Sequence, residues 1–116
     1  MGVDIVEINR IEEAIAWRGD AFLKRIFTKA ELECYRNRLP SLAARFSAKE
    51  AVIKALACKT LSMTEIEVLS APDGKPVLTL YGKAKERAAG LGLTGLDISL
   101  SHSREYAVAC AVGLSP

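Results

Sequence analysis

One histidine and three scattered cysteines, with no C-x-x-C pair among 116 residues, leave this chain without the ligands of a zinc site. Any metal it holds must be a hard ion bound through oxygen. Cys34, Cys58 and Cys110 are odd in number and far apart, the pattern of reduced thiols rather than of a disulfide framework. No apolar run approaches the roughly 18–20 residues needed to cross a membrane, and the first residues lack the basic and apolar regions of a secretory leader. The expected compartment is the cytoplasm, with no membrane partner. Aromatics are scarce: one Trp, three Tyr and three Phe form no clustered stacking platform, so nucleic acid is not an expected partner either. Repeats, low-complexity tracts and linker-like stretches are also lacking, and residues 1–116 read as a single domain.

Half of the residues are hydrophobic, enough for one core. A domain this small buries only about two thirds of its unfolded surface and has little depth for an enclosed cleft. An active site in such a chain is expected on its rim or between subunits. The net charge of +2 hides an uneven distribution. Residues 24–59 hold nine bases against three acids, Glu31, Glu33 and Glu50. The whole positive excess lies in that third, which suits a polyanionic ligand, an acidic protein partner or simply a solvated basic face.

Val3-Asp4-Ile5-Val6-Glu7-Ile8 reads as a short strand, with Asp4 on the face of Val6 and Ile8, a costly place for an unpaired carboxylate. Ile11, Ala14 and Ile15 begin a helix that Gly19 stops. Thr28 and Glu31 have capping-box spacing, and their helix is expected to run to about Arg38, where Pro40 breaks it. A long helix follows from about Ser41 to Ala57. In the second half, Asp73-Gly74 joins two strands as a hairpin. Residues 82–91 form a small helix, and 96–101 and 106–112 two further strands. The expectation is an α+β fold: a mostly antiparallel sheet with helices packed against one side.

Within the long helix, Arg45 and Lys49, and likewise Glu50 and Lys54, lie one turn apart. Read alone, Glu50–Lys54 is a surface ion pair contributing a few tenths of a kcal/mol. Read together with Asp4, it gains another use. If the helix packs on the first strand, two carboxylates meet, and magnesium is often held by one or two carboxylates beside phosphate oxygens. Lys54 would face the same phosphate. Gly74-Lys75-Pro76 is either plain turn chemistry or a loop offering one cation. Ser101-His102-Ser103 has no triad partner for acyl transfer, and its groups are structural or serve as phosphate contacts.

Four segments in order carry a specific pattern: Gly2-Val3-Asp4-Ile5-Val6-Glu7-Ile8 with Arg10; Phe46-Ser47-Ala48-Lys49-Glu50-Ala51 with Lys54-Ala55-Leu56; Gly74-Lys75-Pro76; and Ile98-Ser99-Leu100-Ser101-His102-Ser103 before an alanine-rich last strand. Through nearly its whole length the chain resembles the holo-[acyl-carrier-protein] synthases, the small class of 4′-phosphopantetheinyl transferases. The resemblance implies an enzyme that moves the 4′-phosphopantetheine arm of coenzyme A to a serine of apo acyl carrier protein. Adenosine 3′,5′-bisphosphate would be released and fatty acid synthesis served.

By the same resemblance Asp4 and Glu50 would ligate Mg²⁺, and Lys54 would complete the catalytic set by neutralising the coenzyme A pyrophosphate. Arg45, Lys75, Pro76 and His102 would contact the adenosine and 3′-phosphate. Arg10 and Arg25 would dock the acidic helix of the carrier protein. A homotrimer with sites between subunits is implied as well. Ser47 stands where the family more often has alanine, beside Glu50 at i,i+3, either near a metal-bound water or as a silent substitution. A coenzyme A- or nucleotide-binding module without turnover is the alternative, and an absolute need for magnesium separates the two.

Overall fold

A computed structural model describes residues 1–116. The order of elements is β1 (Gly2–Glu7), α1 (Ile8–Arg18), α2 (Asp20–Ile26), α3 (Lys29–Tyr35), α4 (Leu39–Leu56), a single 3₁₀ turn (Met63–Glu65), β2 (Ile66–Ser70), β3 (Pro76–Leu80), α5 (Gly82–Gly90), β4 (Gly95–His102) and β5 (Tyr106–Leu114). This is the α+β arrangement with antiparallel pairing expected above, with one difference. The strands divide into two sheets, β1-β5-β4 and the β2-β3 hairpin. No helix is long and apolar enough to cross a membrane.

Helix α4 organises the rest. Ala43, Ala44, Ala48, Ala51, Val52 and Leu56 are all buried along it, and so are Arg45, Ser47 and Lys49, so it is covered around most of its circumference, as an interior helix is. Its small residues let β1 and β5 approach closely. Gly2 marks the tightest point: a Cβ there would lie 2.0 Å from the Ala51 carbonyl oxygen. Glycine at the head of β1 is therefore what lets the strand lie on α4, two residues ahead of Asp4. Within the sheet, Asp4 pairs with Ala109, and Ala109 in turn with Leu100. Alternation directs Asp4, Ala109 and Leu100 toward α4, while Val3, Ile5, Tyr106 and Val108 point away and are exposed.

Two boundaries differ from the sequence expectation. Gly19 ends α1 but does not end helical structure. Its positive φ of 58° lets the chain turn sharply and restart at once as α2, with Asp20 in the first turn and Lys24 and Arg25 in the last. Pro40 lies in the first turn of α4 rather than between helices, because proline lacks only an N–H that the first turn leaves unpaired anyway. Consequently α3 is shorter than expected and stops at Tyr35.

The Thr28–Glu31 capping box forms as the spacing predicted: Thr28 N–H donates to Glu31 Oε1 at 2.8 Å, and Glu31 N–H donates to Thr28 Oγ1 at 3.2 Å. Glu31 does more than cap. Its other oxygen accepts the Val68 N–H at 2.8 Å, and Lys49 Nζ lies 2.7 Å from its Oε1, with both side chains 0% exposed. Lys49 also donates to the Met63 and Ile66 carbonyls. Burial lowers the Lys49 ammonium from its ordinary pKa, and the Glu31 carboxylate opposes that shift. One buried ion pair thus joins α3, α4, the 3₁₀ turn and β2.

Candidate active site

β1 and α4 place Asp4 against a strip of α4 that carries Ser47, Glu50 and Lys54, residues spaced by three and four and therefore on one side of the helix. Asp4 is held at both oxygens. Ser47 Oγ donates to Oδ2 at 3.0 Å, and Lys54 Nζ donates to Oδ1 at 3.3 Å and to the Val3 carbonyl at 3.0 Å. The Asp4 side chain is 15% exposed and that of Lys54 54%, so the ammonium reaches solvent from above a largely covered carboxylate.

The Glu50 side chain is near enough to Asp4 and Lys54 to feel both charges and makes no hydrogen bond or ion pair. Its pKa is raised, first by burial and then by the Asp4 carboxylate, while Lys54 pulls the other way. Two carboxylates facing each other with one shared cation leave uncompensated negative charge. Such a donor set fits a hard divalent cation, because all its atoms are carboxylate oxygens with lone pairs remaining.

A groove of about 560 Å³ opens from Glu50, with Phe22, Phe46 and Met63 among its apolar walls and Arg18 and Arg25 beside them. Of these walls, Phe22 comes from α2, a helix the sequence expectation lacks. The helical spacing of Phe22, Leu23 and Ile26 after Gly19 was the available signal.

The remaining site candidates fall elsewhere on the chain. Arg45 is 4% exposed. Its guanidinium donates to the Val68 carbonyl at 3.0 Å and to Ser70 Oγ at 2.9 Å and stacks 3.6 Å from the Tyr35 ring. The resemblance implies a coenzyme A contact there; within the chain the side chain ties α4 to β2, because the hairpin supplies acceptors at that height of the helix. Ser70 pairs with Pro76, so Arg45 abuts the hairpin end that carries Lys75, whose exposed amine has no partner.

His102 is exposed at the end of β4. It is two strands and two residues from Asp4, roughly 12 Å by ordinary sheet spacing. Within one chain, His102 therefore does not converge on Asp4. Arg25 does join Glu50 through the groove. Arg10 stays on the exposed side of α1, 3.6 Å from Glu7.

Residues 1–111 match the family described as the 4′-phosphopantetheinyl transferase superfamily. The chain is 57% identical over 112 residues to a holo-[acyl-carrier-protein] synthase of Dehalococcoides mccartyi, covering 96% of this chain and 94% of that one. Among solved structures it is similar to the holo-[acyl-carrier-protein] synthase of Helicobacter pylori in complex with coenzyme A, with a TM-score of 0.87, 33% identity and coverage of 97% and 98%. It is also similar to the Bacillus anthracis holo-(acyl-carrier-protein) synthase in complex with CoA (3′,5′-ADP), with a TM-score of 0.80, 36% identity and coverage of 99% and 95%.

Proposed function

This chain belongs to the 4′-phosphopantetheinyl transferase superfamily, and we propose that it transfers the 4′-phosphopantetheine arm of coenzyme A to a serine of apo acyl carrier protein, in support of fatty acid synthesis. One observation carries the assignment of the site: where β1 packs on α4, Asp4 is close enough to raise the Glu50 pKa, with Lys54 bonded to Asp4 and no hydrogen-bond partner on the Glu50 side chain.

In the reaction, the serine oxygen bonds to the phosphorus that bears the pantetheine arm. The bond from that phosphorus to the bridging oxygen breaks, and adenosine 3′,5′-bisphosphate leaves. Asp4 and Glu50 would hold the metal, and Mg²⁺ supplies charge neutralisation and orientation of the pyrophosphate oxygens when bound. Lys54, whose ammonium reaches solvent, pairs with the pyrophosphate and stabilises the charge that grows on the leaving group. One of the two carboxylates, which keep lone pairs beyond those a metal would take, would accept the serine proton.

The chain acts as one domain over residues 1–116, in the cytoplasm, where its three free cysteines stay reduced. Its working form is a homotrimer. The exposed apolar residues Val3, Ile5 and Val108 on the outer sheet face support an interface there. The separation of His102 from Asp4 supports a site completed by a neighbouring subunit. Arg10 and Arg25 receive the acidic helix of the carrier protein, with Arg25 beside the groove that leads to Glu50.

The test is incubation with coenzyme A, MgCl₂ and apo carrier protein, followed by mass spectrometry. A carrier protein heavier by one phosphopantetheine arm is expected, with none formed when the metal is chelated. A parent chain that transfers nothing would overturn the proposal, and transfer without any divalent metal would overturn its metal site.

A further inference from the structure

We propose that Ser47 is a positioning residue for Asp4, fixing that carboxylate for a divalent cation while leaving Glu50 free to close on it. The proposal rests on the reading of Asp4 and Glu50 as the metal pair. Ser47 is fully buried on α4, where a hydroxyl with nothing to bond would be costly. Its oxygen lies 3.0 Å from Asp4 Oδ2 and 3.3 Å from the Ala107 carbonyl. A serine has one proton to donate, and the carboxylate is both the nearer and the charged acceptor, so that bond is the stronger.

Lys54 holds the other oxygen of Asp4. With a partner on each oxygen the plane of the carboxylate is set, yet each oxygen keeps a lone pair for a metal. The two carboxylates therefore differ. Asp4 is locked by strand, hydroxyl and ammonium; Glu50, on a flexible side chain, has no such partner. Groups that hydrogen-bond a metal's ligands orient them, and their loss typically weakens binding 10–100-fold.

Removing one oxygen from a helix face already rich in alanine is a mild change, so Ser47→Ala is a fair probe. The experiment is calorimetric titration of the full chain with MgCl₂ at saturating coenzyme A, run on the parent, Ser47→Ala and Glu50→Gln. The expected result is binding by the parent, roughly tenfold weaker binding by Ser47→Ala, and none by Glu50→Gln. Parent-like affinity in Ser47→Ala, with Glu50→Gln silent, would overturn the role of Ser47 and leave the metal pair standing. Equal binding by the parent and Glu50→Gln, or none by the parent, would overturn the metal pair itself and the Ser47 proposal with it.

Discussion

Toward the β2–β3 hairpin, α4 turns Arg45 and Lys49 inward; toward β1 it turns Ser47, Glu50 and Lys54. Both sides combine acids with bases, and the chain uses them in opposite ways. On the hairpin side every buried side-chain nitrogen and oxygen has a partner. Lys49 meets Glu31 and two carbonyls, Arg45 meets Val68, Ser70 and Tyr35, and Glu67 receives Thr28 and Tyr81. On the β1 side Asp4 is held but Glu50 is left without a partner, its charge disfavoured by burial and by Asp4. A satisfied network fixes the fold. An unsatisfied one of the same residue types is an invitation to a ligand, because only added positive charge completes it.

The contrast can be broken most forcefully at Lys49. Lys49→Met leaves Glu31 buried with no counter-charge, so a loss of about 3–5 kcal/mol is expected in urea unfolding. Pairing it with Glu31→Gln should recover much of that loss. Lys54→Met removes a cation from the same helix but from a pair whose ammonium reaches solvent and whose carboxylate keeps Ser47, and should change stability by about 1 kcal/mol while transfer falls.

Next in size is Glu50→Gln. Transfer should drop by at least about a hundredfold to a thousandfold, the usual loss when a group that organises transition-state charge is removed, with the native fold retained. Mass spectrometry of the carrier protein reads the first outcome and circular dichroism the second. If Glu50→Gln unfolds the chain while Lys49→Met merely slows transfer, the two sides of α4 have been assigned the wrong way round.

Much of this was legible in the sequence, for reasons that particular residues show. Strand alternation set Asp4 on the inner face of β1, and helical spacing put Glu50 and Lys54 on one strip; both are local rules, and only the packing of β1 on α4 was needed to join them. Thr28 and Glu31 announced their cap because a capping box is complete within four residues. Lys49 and Arg45 were not legible in the same way. An i,i+4 pair of bases looks alike whether water or a hairpin faces it, and the acceptors at Val68, Ser70 and Ile66 arrive from about twenty residues further on. Helix α2 was missed because glycine usually ends a helix, whereas here its positive φ also starts the next.

A smaller effect is expected at the groove. Arg25→Ala should raise the KM for carrier protein several-fold and leave kcat nearly unchanged, with the difference shrinking in high salt as exposed charges are screened within about 8–10 Å. This distinguishes a docking residue from the chemical pair.

The smallest is a pH dependence of stability. A carboxyl whose pKa is raised on folding binds more protons in the native state than in the unfolded one. Its contribution to stability is therefore lost as pH rises through the window between the ordinary glutamate value and the raised one. The pKa of Glu50 is raised, so without metal the melting temperature of the parent should fall relative to that of Glu50→Gln across that window.

The claim that α4 carries one sealed and one open face is tested most directly by thermal melting of the parent and Glu50→Gln, each with and without MgCl₂ plus coenzyme A. The parent should gain stability when both are added, since a ligand bound only by the folded state raises the melting temperature. Glu50→Gln should start no lower than the parent in metal-free buffer at neutral pH and gain nothing from magnesium beyond what coenzyme A alone provides. An equal magnesium-dependent gain in both proteins would contradict the account.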